Sequence, residues 1–139
     1  MSVTQLIYRS RKNSLPPNGI FEIRDQARRN NAEHDITGVL LFNRDYFLQC
    51  LEGDADEVNR TFRTISDDPR HCEVALISIG EVPERGFPDW SMGLVDSTSP
   101  DLRVALRDVL PGYEFTPETL DADTATRLMN RMRTLHHAY

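Results

Sequence analysis

From Val3 to Ser10, "VTQLIYRS", side chains alternate in the manner of a strand, with Thr4, Leu6 and Tyr8 on one face and Val3, Gln5 and Ile7 on the other. "KNSLPPNG" breaks the strand. From about Gly19 to Asn31 the period lengthens: Ile20, Ile23 and Ala27 fall at i, i+3 and i+7, a narrow helical stripe whose next position is Asn31. "ITGVLLFN" is a nearly continuous apolar run, as expected of a central strand. "NRDY" turns it into a third strand, "YFLQCL", closing a hairpin. "EGDADEV" opens a second helix, with Asp54 as cap and Glu57 completing an acidic variant of the capping box. Val58, Phe62 and Ile65 supply its buried stripe, and Pro69 ends it. "EVALISIG" is a fourth strand; the loop "EVPERGFPD" leads to a short fifth, "WSMGL".

The order β-α-β-β-α-β-β predicts an α+β fold whose first six elements are ferredoxin-like: a mostly antiparallel sheet with two helices on one face and a groove between them. From about Ser99 the character changes. "SPDLRVALRDVLPG" reads as a short helix, and "TPETLDADTATRLMNRMRTLHH" as a longer one with Thr116 as cap and Pro117 at its first position. The stripe Ala125, Leu128, Met129, Met132 and Leu135 is expected to cover the other face of the sheet. Residues 1–96 thus form one unit and 97–139 a two-helix cap belonging to the same globule.

Charge narrows the function. A net charge of −6 disfavours a general nucleic-acid binder, which needs a concentrated basic surface. No apolar run is long enough for a membrane span, and the N-terminus lacks the pattern of a signal peptide. Two cysteines without CxxC spacing argue against a disulfide framework or zinc site and for a reducing cytoplasm. The histidines show no metal-ligand spacing beyond an adjacent terminal pair, and no hydrolase, Walker or dinucleotide fingerprint occurs.

Three polar residues interrupt otherwise apolar patterns. Phe47, Gln49 and Leu51 share one face of the third strand, so the Gln49 amide enters apolar company, where lack of partners costs roughly 1–3 kcal/mol. Tyr8 lies on the first strand, the central neighbour of the third in this topology, and Asn31 ends the stripe of the first helix. The trio is either a structural network or one side of a ligand site. None is a strong acid, base or ready nucleophile; together they suit a heteroaromatic edge carrying carbonyls and ring nitrogens.

These residues carry a resemblance. In order, "LIYRS", "NNAEHDITGVLLF", "FLQCLEG", "DDPRH" and "FPDWSMGL" resemble the BLUF family of flavin-based blue-light sensors over roughly residues 2–95. The resemblance implies a flavin, usually FAD with FMN as the alternative, bound non-covalently between the two helices. Asn31, with Asn30 beside it, would bond the pyrimidine-like side of the ring. Ile23 and Ile65 would sandwich the ring, Phe47 and Leu51 would line its floor, and Arg70 and His71 would meet the ribityl chain or phosphates. Tyr8 would donate an electron and then a proton under blue light. Gln49 would change orientation or tautomer, leaving a small red shift that decays in darkness. Trp90 and Met92 fall on one face of the fifth strand by alternation, and one or the other would lie near Gln49 and relay the signal through that strand to the C-terminal helices.

On this reading the chain is a photoreceptor and not an enzyme, acting in the cytoplasm through a downstream protein partner or self-association, with a homo-oligomer expected. Two alternatives stand beside it: a light-insensitive ferredoxin-like binding module, and an acylphosphatase-like hydrolase. The hydrolase would need an arginine-bearing phosphate cradle, for which "RSRKNSLPPNG" is a poor substitute.

Overall fold

The computed structural model describes residues 3–88, 90–96, 104, 109 and 121–133. Among them stand β1 (Val3–Lys12), α1 (Gly19–Glu33), β2 (Thr37–Phe42), β3 (Tyr46–Gly53), α2 (Ala55–Ser66), β4 (His71–Val82), β5 (Gly93–Asp96) and α3 (Ala122–Met132). The five strands form one sheet in the order β4-β1-β3-β2-β5. β1 runs antiparallel to β3 and β4, and β2 antiparallel to β3, as the ferredoxin-like order requires. β5 joins β2 in parallel, so the sheet is mixed.

Alternation along the strands sorts the core into two layers. Leu6, Tyr8, Leu40, Phe47, Leu51 and Leu94 point to the face carrying α1 and α2, where Ile20, Ile23, Ala27, Phe62 and Ile65 pack on them. Ile7, Val39, Leu41, Leu48, Cys50 and Val95 point to the opposite face and meet Ala125, Leu128, Met129 and Met132 of α3. An isolated helix of this length is marginal in water. Burying Leu128 or Met129 is worth roughly 1.5–3 kcal/mol each, so the sheet stabilises the helix.

Several sequence expectations need correction. α3 begins at Ala122 and not at Thr116, because the Asp121 carboxylate accepts from the Thr124 N–H at 2.7 Å and caps the helix there. The shorter helix expected near Ser99 falls almost entirely outside the described residues, which therefore hold one C-terminal helix and three helices in all. Asp54 does cap α2, accepting from Asp56 N–H, but Glu57 does not fold back to complete a capping box. Its carboxylate turns instead to His34 (2.7 Å) and Arg60 (2.9 Å). β5 begins at Gly93, so Trp90, Ser91 and Met92 form a bend ahead of it and not its first residues.

Two local features fix the centre of the sheet. Asn43 Oδ1 accepts from the N–H groups of Asp45 and Tyr46, forming the turn that sets the β2–β3 register. At Gly38 the strands approach so closely that a Cβ would lie 1.9 Å from the carbonyl oxygen of Cys50. That neighbour is backbone and has no rotamer to give. Gly38→Ala is therefore expected to destabilise the fold by about 3 kcal/mol, the upper end for overpacking. Chemical denaturation of the two proteins measures it; a loss under about 1 kcal/mol would mean β2 can move aside.

Candidate functional site

α1 and α2 lie on the same sheet face, and between them opens a cavity of about 130 Å³ that is partly continuous with solvent. Ile23, Ala27, Asn30 and Asn31 form the α1 wall, and Thr61, Thr64 and Ile65 the α2 wall. Tyr8, Leu40, Phe47 and Gln49 make the floor, with Asp68, Arg70 and His71 beyond α2.

The floor answers the question posed by the buried amide. Tyr8 and Gln49 are directly opposite across β1 and β3, and both are almost wholly buried. The Tyr8 hydroxyl donates to Gln49 Oε1, and Gln49 Nε2 donates to Met92 Sδ at 3.2 Å. An amide nitrogen carries two hydrogens, so a second N–H remains for a ligand in the cavity. Beside it, Asn31 Nδ2 donates to the Ser91 carbonyl at 2.7 Å, and Asn30 Nδ2 approaches Asn31 Oδ1 at 3.5 Å. Burial pushes the Tyr8 phenol far above its ordinary pKa, and the nearby Asp68 charge adds to the effect.

At the other end, Arg70 is clasped by Asp68, its Nε lying 3.0 Å from both carboxylate oxygens, while an NH2 hydrogen reaches Gln26 Oε1 at 2.7 Å. The hydrogen bonds from Arg70 hold the Asp68 carboxyl below its usual range. His71 is pinned through both ring nitrogens. Nε2 donates to the Ile65 carbonyl, which only accepts, and Nδ1 shares a 2.8 Å hydrogen bond with the Ser10 hydroxyl.

Of the residues nominated from sequence, Tyr8, Ile23, Asn30, Asn31, Phe47, Gln49, Ile65, Arg70 and His71 all line this one cavity. Leu51 does not. It lies buried in the same apolar layer, and Leu40, opposite Gln49 on β2, takes that part of the floor. Trp90 and Met92 do not share a face. Met92 packs into the α1/α2 layer, whereas Trp90 packs toward α3, its ring stacked on Phe87 at 5.6 Å. Both flank a bend, so strand alternation does not apply to them. Gly93 permits that bend: a Cβ there would lie 2.4 Å from the Trp90 ring.

Sequence reasoning missed Gln26, Leu40, Thr61, Thr64 and Asp68, and left Ala27 as mere core. Thr61 lies four residues before Ile65, and Gln26 three after Ile23, so helical spacing would have found them. Counting back through the hairpin from Phe42 opposite Phe47 would have found Leu40.

The lining suits a flat heteroaromatic ring: apolar side chains on facing helices, with the amides of Gln49, Asn31 and Asn30 among the residues that line it. Residues 3–93 match the family described as BLUF, sensors of blue-light using FAD. The chain belongs to the BLUF family. It is 39% identical over 95 residues to the blue light- and temperature-regulated antirepressor BluF of Escherichia coli (strain K12), covering 68% of this chain and 24% of that protein. The chain thus matches about a quarter of that relative's length. Among solved structures it is similar to BlrB in its dark state (33% identity, TM-score 0.79, 95% of this chain and 96% of that one). It is also similar to photo-activated BlsA (26%, TM-score 0.83, 96% of each). BlrP1 of Klebsiella pneumoniae, solved with FMN and cyclic diGMP, matches at 33% and TM-score 0.67 over 78% of this chain and 30% of that one. This BLUF chain is therefore a blue-light sensor with a flavin cofactor, FAD by the family's description, and both alternative readings give way. No described helix is long and apolar enough to cross a membrane.

The buried phenol has a consequence for stability. Above about pH 10, where the unfolded chain ionises Tyr8, the folded chain keeps the proton and so binds more protons than the unfolded one. Stability then falls as pH rises, with Tyr8 contributing a slope of up to about 1.4 kcal/mol per pH unit. Denaturation between pH 9 and 11 should show Tyr8→Phe with a shallower fall; equal slopes would mean the phenol ionises in the folded state.

Proposed function

We propose that Tyr8 and Gln49 are the photoactive pair of this sensor, and that the hydrogen bonds of Gln49 are what light rearranges. The observation that carries this reading is the buried Tyr8–Gln49–Met92 chain along the floor of the cavity. A flavin held in the cavity would absorb blue light and supply a one-electron oxidant. Tyr8 supplies the electron, and its phenolic proton leaves along the bond to Gln49 Oε1. Gln49 would relay that proton to an acceptor on the polar edge of the bound ligand, which would take up the electron and the proton together, and would change orientation or tautomer. Electron and proton then return to Tyr8, so nothing is consumed and only the donor and acceptor ends of Gln49 have changed place. Asn31 and Asn30 orient the polar edge of the ligand, Ile23 and Ile65 hold its two faces, and Phe47 and Leu40 exclude water below it. Arg70 and His71 sit where a polar tail would leave the cavity.

The relative of this chain in E. coli is by name an antirepressor, which favours output through a protein partner in the cytoplasm over chemistry performed by the chain itself. Self-association is the second route. α3, behind the sheet, is the described surface through which either would be read.

An absorption spectrum before and after a blue pulse tests the reading. A structured flavin band should shift slightly red and recover in darkness. Gln49→Leu and Tyr8→Phe should retain the flavin and lose the shift. A full reversible shift in either variant would remove that residue from the photoactive pair.

A further inference from the structure

Glu52 is wholly buried, three residues beyond Gln49 on β3 and on the opposite face of the strand. A carboxylate in such a place must be fully partnered. Oε2 accepts from the Gly86 N–H at 2.9 Å and from Gln5 Nε2 at 3.0 Å; Oε1 accepts from the Phe87 N–H at 2.9 Å. Two of the three donors are therefore consecutive backbone amides of the stretch that leads to the bend at Trp90–Met92. Gly86 sits so close that a Cβ would lie 3.3 Å from Glu52 Oε2 and 2.9 Å from Arg133 Cδ beyond α3.

The far end of the same stretch is bound to the cavity. The Gly38 N–H donates to the Trp90 carbonyl at 2.9 Å, Asn31 Nδ2 to the Ser91 carbonyl, and Arg28 Nε to the Met92 carbonyl at 3.0 Å. Met92 Sδ accepts from Gln49. Gly86–Phe87 and Trp90–Met92 thus form the two ends of a strap, joined by the Trp90 N–H that donates to the Phe87 carbonyl at 3.4 Å; the first end packs on the α3 side of the sheet through Phe87, and the second on the α1/α2 side through Met92. The cavity-side bonds include the one that a rearranging Gln49 gives up. The Glu52 bonds lie outside that exchange.

We infer that Glu52 is a positioning residue for the photocycle: by fixing the Gly86–Phe87 end of the strap, it keeps Met92 in place to receive Gln49 Nε2 when the dark state re-forms. This rests on the reading of Gln49 given above. With the anchor intact, the returning amide meets its sulfur partner where it left it. With the anchor loosened, Phe87 shifts and, through the Trp90 N–H bond to its carbonyl, displaces the Met92 side chain from the position that Gln49 left, although the Met92 backbone stays held by Arg28; return then waits on the side chain's relocation.

The test is the dark-recovery rate of flavin-loaded protein after a blue pulse, measured on Glu52→Gln, whose NH2 group faces an N–H donor and forfeits a bond. Recovery at least fivefold slower is expected, with the size of the red shift unchanged. Arg85→Ala serves as control. Arg85 ties the same loop to Thr37, Asp35 and the Glu52 backbone carbonyl without touching the carboxylate, so its removal should leave recovery within twofold. If Glu52→Gln does not fold, Glu52→Asp takes its place, since the shorter side chain keeps the charge but cannot reach both amides. Recovery within twofold of wild type in the Glu52 variant overturns the inference, as does equal slowing in Arg85→Ala, which marks general loosening of the loop. A wild-type protein with bound flavin and no reversible shift overturns the Gln49 reading itself, and the inference with it.

Discussion

The bond between Tyr8 and Gln49 is the constraint around which this sheet is arranged. An amide in the middle of a central strand costs roughly 1–3 kcal/mol if its groups go unpaired. The fold avoids that cost through register. Antiparallel pairing sets Tyr8 directly opposite Gln49 on one side, and the Asn43 turn sets Leu40 opposite it on the other. A slip of one residue on either strand would turn the amide or its partner to the α3 face. Gly38, one turn of the pleat from Leu40, admits no such slip without a backbone clash against Cys50. The polar floor and the apolar packing are consequently specified together: the alternation that buries Leu6 and Phe47 also aims Tyr8 and Gln49 at one another.

The approach to β5 supplies the remaining partner, and its geometry differs from that of a strand in a way that matters. Had Trp90 and Met92 shared a face, both would have crowded the cavity or both left it. The bend instead sends Met92 to Gln49 and Trp90 to the layer beneath α3, within three residues. One short segment therefore touches both sides of the sheet. Interiors are close-packed and yield little without consequence, so a change in what Met92 contacts bears on Phe87 and Trp90, and through them on the surface that Leu128, Met129 and Met132 cover.

Most of this was legible in the sequence because it rests on periodicity. Period two assigned Tyr8 and Gln49 to the helix-bearing face, and the i, i+3, i+7 stripe carried Asn31 to the cavity wall. What failed depended on non-periodic detail. Leu51 shares a face with Phe47 and Gln49, but face is not the same as depth: it is covered by neighbouring core and reaches no open space. The split between Trp90 and Met92 follows from a bend that Gly93 permits by lacking a side chain, and no alternation rule reads a bend. Glu57 satisfied the spacing of a capping box, yet the His34 ring at the end of α1 lies 2.7 Å from its carboxylate, a partner that the spacing rule does not know about. Glu52 went unnoticed because a glutamate beside a glycine at a strand end looks like turn chemistry; two of its three donors come from a loop more than thirty residues away, and the third from β1.

Burial also dictates how Tyr8 can be oxidised, if it is the donor proposed above. The phenol is 2% exposed, with the Phe62 ring tilted over it at 5.3 Å and the His71 ring edge-on at 6.3 Å. Its raised pKa says that this environment does not solvate a phenolate. A tyrosine that lost an electron and kept its proton would be a cation in the same dry surroundings, with only the more distant Asp68 to offset it. Both His71 ring nitrogens are already engaged, Nε2 by the Ile65 carbonyl and Nδ1 by Ser10. Gln49 Oε1 is the acceptor already in contact. Loss of the electron and transfer of the proton to the glutamine are thus coupled by desolvation, and the residue that must take the proton is the one whose amide has two ends to exchange.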